Sequence, residues 1–92
     1  MNDSELIYQK IEGVTANEEI WTNSDNKLFR INGPASIRTY NDGYKIETWY
    51  QKPNMIHRKG GPAIIEYDRE GNIEGENYYI NGLRLERVYQ HE

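Results

Sequence analysis

The side chains able to do chemistry in this chain are few and scattered. There are two histidines and no cysteine. Disulfide scaffolds, thiol catalysis and Cys-based zinc sites are therefore excluded. Two isolated histidines do not assemble a zinc site either. His57 occupies a place where a similar stretch upstream has Phe29, and a position that accepts Phe serves packing rather than proton transfer. His91 falls in the C-terminal tail, where disorder is expected. Glu66 and Asp68 alternate with Ile65 and Tyr67, and Glu74 and Glu76 follow the same rhythm. That spacing describes a solvated strand face rather than a hydrolase pair across a cleft. Glycines 60, 61, 71, 75 and 82 fall at turns or bulges, and none forms a phosphate-binding loop between a strand and a helix. No Ser-centred nucleophile motif is present. No catalytic residue, metal ligand or cofactor site is expected, and the chain reads as a non-enzymatic protein.

The residues left over are suited to binding. Arg38, Tyr40, Trp49, Arg58 and Tyr78 are rigid aromatic and guanidinium groups of the kind that anchor protein interfaces. Residues 1–26 hold six carboxylates, Glu18 and Glu19 among them, against Lys10 alone. That is a balance of −5 within a chain of net charge −4. The acidic stretch is either a solvated edge or an acidic face for a basic partner. There is no basic stripe of the sort a nucleic-acid binder needs, so nucleic acid is not an expected partner. Arg38, Arg58 and Arg87 could instead hold the phosphates of a nucleotide-like ligand while Trp or Tyr stacks on its base.

The elements that position these residues follow from an internal repeat. Phe29-Arg30-Ile31-Asn32-Gly33-Pro34-Ala35-Ser36-Ile37 aligns with His57-Arg58-Lys59-Gly60-Gly61-Pro62-Ala63-Ile64-Ile65, and Gly43 aligns with Gly71. One residue is then added in the later copy, after which Glu47, Trp49 and Tyr50 meet Glu76, Tyr78 and Tyr79. Trp21 precedes Phe29-Arg30 by the interval that separates Trp49 from His57-Arg58. The 92 residues read as one domain: an acidic segment or strand over 1–17, a partial repeat over 18–30, a repeat over 31–58, and another over 59–90 with an incomplete last copy.

Each unit reads strand, turn, strand, turn. Strands are expected over residues 6–11, 18–22, 34–40, 44–51, 62–68, 73–80 and 83–89, from alternating β-branched and aromatic residues. Asp42-Gly43 suggests a two-residue type I′ turn, and Asn81-Gly82 is the strongest such signal. No segment has a sustained 3.6-residue apolar period. The expected fold is all-β, an antiparallel sheet of consecutive β-hairpins with little or no helix. A two-residue turn at Asp42-Gly43 would set Arg38 opposite Glu47 and Thr39 opposite Ile46. One face would then carry Ala35, Ile37, Thr39, Ile46, Thr48 and Tyr50 as the core, and the other Ser36, Arg38, Tyr40, Lys45, Glu47 and Trp49. A one-residue slip would exchange these sets. Of Trp49 and Tyr50, or Tyr78 and Tyr79, one member must face outward unless a second layer covers it. The alternatives are two-sided burial, by a sheet partner or second subunit, and an exposed recognition surface. For Gly-Pro-Ala, Gly would permit a tight turn, Pro would open a strand, and Ala would leave packing room.

The run from His57-Arg58 through Gly61-Pro62-Ala63-Ile64-Ile65-Glu66-Tyr67, Gly71-Asn72 and Tyr78-Tyr79-Ile80-Asn81-Gly82 resembles a MORN-variant repeat. The resemblance covers roughly residues 18–90. It is degenerate in the first copy, where Phe29 replaces His and Lys52-Pro53-Asn54 replaces the Asn-Gly turn. Such proteins occur in phages, giant viruses and bacteria, some as antitoxin or immunity proteins. The resemblance implies an elongated run of β-hairpins and a binding role. A protein target is the expected partner, with the nucleotide-like ligand or a purely structural repeat as alternatives. A homodimer through open sheet edges is compatible with each. The chain shows no signal-peptide or membrane-spanning run, which points to the cytoplasm.

Overall fold

The computed structural model describes residues 5–86. These residues form one antiparallel sheet of seven strands lying in sequence order. They are β1 Ile7–Glu12, β2 Ala16–Thr22, β3 Ser36–Tyr40, β4 Lys45–Thr48, β5 Ile64–Tyr67, β6 Ile73–Ile80 and β7 Leu83–Leu85. The all-β, hairpin-by-hairpin architecture is as expected. Residues 7–12 of the acidic N-terminal segment join the sheet as β1. The last strand stops at Leu85, and residues 87–89 of the expected strand, with Arg87 and His91, lie outside the described residues.

The turn chemistry explains the register. After Tyr40, the Gly43 amide donates to the Tyr40 carbonyl, and the Tyr40 amide donates to the Tyr44 carbonyl. Gly43 takes a φ of 98°. This is a three-residue loop, a type I turn closed by a left-handed residue. The second copy repeats it at Asp68, Gly71 (φ 89°) and Asn72. The two-residue turn expected at Asp42-Gly43 is therefore corrected. Arg38 lies opposite Ile46, Thr39 opposite Lys45, and Ile37 opposite Glu47. The one-residue slip exchanges the faces of β4 relative to β3. Ala35, Ile37, Thr39, Lys45, Glu47 and Trp49 now share one face, and Ser36, Arg38, Tyr40, Ile46 and Thr48 the other. Asn81-Gly82 does form a two-residue turn between Ile80 and Leu83, with φ of 53° and 76° at its two residues, as a type I′ turn requires.

The two Gly-Pro-Ala segments occupy equivalent places. The Trp21 amide donates to the Ala35 carbonyl (2.9 Å), as the Trp49 amide does to that of Ala63 (2.7 Å). Ala35 and Ala63 are both fully buried. The Arg30 amide reaches the Tyr50 carbonyl, and the Arg58 amide that of Tyr79. The residue added in the later copy is Glu74: Tyr67 pairs with Ile73 and Glu66 with Gly75, so Glu74 is left as a bulge.

The core is thin. Phe29, Ala35, Ala63 and Ile65 are its buried apolar members, and no large side chain among the described residues is fully buried. The molecule measures 50 × 34 × 16 Å. Ala35 and Ile65 lie on the Trp49 face, which identifies the packed side of the sheet.

Candidate functional site

The slip in register splits the candidate binding residues between the two faces. Glu19, Trp49, Arg58 and Tyr78 belong to the packed face. Glu18, Arg38 and Tyr40 belong to the opposite one.

On the packed face, each copy builds the same stack. The Arg58 guanidinium lies 3.6 Å from the centre of the Trp49 ring, and its Nη1 donates to the Pro62 carbonyl at 3.0 Å. Arg30 does the same over Trp21 at 3.9 Å, donating to Pro34 at 3.2 Å. Gly lies against each guanidinium. A Cβ on Gly61 would come within 2.9 Å of the Arg58 Cζ, and one on Gly33 within 2.7 Å of the Arg30 Cζ. Neither glycine has a positive φ. Its role in Gly-Pro-Ala is thus to admit the arginine, and not to supply the turn flexibility expected of it. Pro contributes the carbonyl that orients the guanidinium, and Ala fills a site with no room to spare. Trp21, Trp49, Tyr50, Tyr78 and Tyr79 are all half-buried, so for both Trp rings much of the cover is an arginine of the same chain.

His57 is held beside this stack. Its Nδ1 accepts the Asn81 amide at 2.9 Å. Burial, followed by the nearby Lys52 and Lys59, keeps its pKa below the ordinary 6.5, which suits an acceptor nitrogen. Tyr67 donates to Glu47 at 2.8 Å with the Lys45 amine 4.5 Å from its ring centre. Burial and that hydrogen bond raise the Tyr67 pKa. Tyr8 donates to Glu19 at 2.7 Å and packs on Trp21, with ring centres 4.9 Å apart.

On the opposite face, Arg38 sits on the inner strand β3 and pairs with Glu18 at 3.5 Å. Its guanidinium lies 6.0 Å from the Tyr40 ring centre, and Tyr40 contacts Tyr44 at 5.9 Å. Tyr40 and then Glu18 raise the Arg38 pKa. The Arg38 side chain is 51% exposed. Ile46 lies directly across from Arg38, and Ile20 and Ile64 are half-buried on the same face. Sequence reasoning did not single out Tyr44 or Ile20, and it set Ile46 on the core face with Ala35 and Ile37, where the structure sets it beside Arg38; the register that gathers them depends on the loop at Asn41-Asp42-Gly43. Among the described residues no group of three or more His or acidic side chains is placed to hold a metal ion, and no helix is long and apolar enough to cross a membrane.

Comparisons with protein-family models, curated proteins and solved structures give no match to this chain.

Proposed function

We propose that this protein is a non-enzymatic binding protein that acts by docking on a protein target. The observation that carries this reading is the Glu18–Arg38–Tyr40–Tyr44 cluster at the middle of the sheet face opposite the packed one. An exposed guanidinium, two tyrosines and flanking isoleucines make a surface of interface composition, aromatic and Arg at the centre. The acidic β1–β2 hairpin beside it would favour a basic partner and speed encounter. The resemblance to MORN-variant repeats supports an inhibitor role, as an immunity or antitoxin protein or a phage anti-defence factor working in the host cytoplasm. Sequestration of a nucleotide-like ligand has less support: Arg58 is committed to Trp49 and Pro62, and Arg38 lies on the opposite face of the sheet from it.

The test is affinity capture of tagged protein from host lysate, reading bound proteins and metabolites by mass spectrometry. The expected result is one stoichiometric protein, lost on Arg38→Ala or Tyr40→Ala while the circular dichroism spectrum is unchanged. A bound nucleotide with no protein would overturn the reading. Arg38 is a cleaner probe than Trp49, whose removal would also dismantle the stack with Arg58.

A further inference from the structure

The two edges of the sheet are unlike. β7 is three residues long, whereas β1 runs six residues from Ile7 to Glu12, all of them exposed. Natural edge strands are blunted by proline, bulges or shortness. β1 contains no proline, pairs with β2 without a bulge, and has one lysine. It also carries apolar groups on both faces: Ile7 is 53% exposed, Tyr8 48% and Ile11 46%.

The direction of its outer backbone groups can be read from two hydrogen bonds. The Trp21 amide donates to Ala35, just before β3, so Trp21 points its N–H away from β1. Tyr8, opposite Trp21, must then point its own N–H and C=O away from β2. The Gly13 amide donates to Ala16, which fixes the same alternation from the other end of the hairpin. Tyr8, Lys10 and Glu12 thus offer their N–H and C=O groups outward, and among the described residues no strand lies on that side.

We propose that β1 pairs antiparallel with β1 of a second copy, about a two-fold axis at Gln9, to join two sheets into one. A symmetric pairing must set outward residues against outward residues, and three registers engage at least two of Tyr8, Lys10 and Glu12 of each strand in doing so. One places Lys10 against Lys10 of the second copy, and like charges directly opposite are destabilising. A second centres on Ile11 and drives the Gly13-Val14-Thr15 turn against the other strand, where the chain is no longer extended. The third centres on Gln9 and uses the strand along its length. Ile7 then meets Ile11 of the second copy, twice over by symmetry, covering the exposed apolar side chains of one face. On the other face Lys10 meets Tyr8 of the second copy, whose hydroxyl is held by its own Glu19. Each Lys10 also lies across from the Glu19 of its own chain. Such an interface is isologous, the same patch used by both copies. Its pairing groups are separate from the Glu18–Arg38–Tyr40–Tyr44 cluster, which lies on β2, β3 and the loop that follows them.

The chain has no cysteine, so single-cysteine variants report the register without interference. Gln9→Cys and Ile11→Cys each place a thiol at the axis of one register and leave the Lys10 charge in place. At the Gln9 axis the two Cα atoms would be about 4.5 Å apart, within reach of a disulfide. Under mild diamide oxidation, Gln9→Cys is expected to form a covalent dimer at least tenfold faster than Ile11→Cys and a control on an exposed turn, Asp25→Cys. Adding Lys10→Pro should reduce the Gln9→Cys rate to that of the control with the circular dichroism spectrum retained, because the Lys10 N–H points away from β2. Faster cross-linking of Ile11→Cys would overturn the register, and Gln9→Cys no faster than the control would overturn the dimer.

Discussion

The two Trp–Arg stacks share a backbone and differ in what surrounds them. Around Trp21, the ring is wedged between Arg30 and Tyr8, and the neighbouring Phe29 is 8% exposed. Around Trp49, Arg58 sits closer to the ring, His57 takes the place of Phe29, and among the described residues the Trp49 Nε1 is buried without an acceptor. The same recurring Arg, Gly and Ala positions therefore support a redundant site in one copy and a dependent one in the other. What the repeat preserves is the seat for the guanidinium; the side chains around it vary.

This comparison makes the Arg58 stack the more vulnerable. A desolvated cation–π contact contributes up to about 2 kcal/mol, and a hydrogen bond from a charged donor about 1.5–3 kcal/mol. Arg58→Ala is expected to destabilise the fold by about 3 kcal/mol in urea unfolding followed by Trp fluorescence. Arg30→Ala, cushioned by Tyr8 and Phe29 and starting from the longer distances, should lose about 2 kcal/mol. Equal losses, or a larger one at Arg30, would remove the distinction. Against a total that for domains is commonly 5–15 kcal/mol, either change is large.

Overfilling the shared alanine sites comes next. Ala35→Leu and Ala63→Leu insert several heavy atoms where exposure is 0%, and each should lower stability by about 1–3 kcal/mol. Here the two copies should behave alike, because the site is the same in both; thermal unfolding of the pair checks this.

The smallest effect distinguishes His57 from Phe29. Nδ1 must be unprotonated to accept the Asn81 amide, and the folded pKa lies below 6.5. Between the two values the unfolded chain binds more protons than the folded one, so stability falls as pH drops from 6.5 through the folded pKa. His57→Phe, which copies the upstream residue, should flatten this part of the stability–pH curve. An unchanged slope would mean that other groups set it.

Much of the architecture was legible in the sequence, and the failures have identifiable causes. Strand positions followed from alternation, and β6 matches its expected bounds of 73–80. Asn81-Gly82 acted as its residue types dictate. Asn41-Asp42-Gly43 did not, because the same residues satisfy a two-residue turn at Asp42-Gly43 and a three-residue loop ending on a left-handed Gly. That ambiguity of one residue placed Arg38 and Trp49 on a shared face, whereas they lie on opposite ones. The stack itself left a trace in the equal spacing of Trp21 from Arg30 and Trp49 from Arg58. The role of Gly33 and Gly61 did not, since a glycine that makes room for a guanidinium looks the same in sequence as one that makes a turn.

The central claim is that arginine and glycine form one unit with the tryptophan in each copy. A double-mutant cycle on Arg58→Ala and Gly61→Ala tests it most directly, with unfolding free energies for the wild type, both single variants and the pair. Gly61→Ala alone should destabilise the fold, because its Cβ would lie 2.9 Å from the Arg58 Cζ. With Arg58 removed, the same change should be neutral or stabilising, giving a coupling of about 1 kcal/mol or more. Effects that add within about 0.5 kcal/mol, the behaviour of independent sites, would contradict the account.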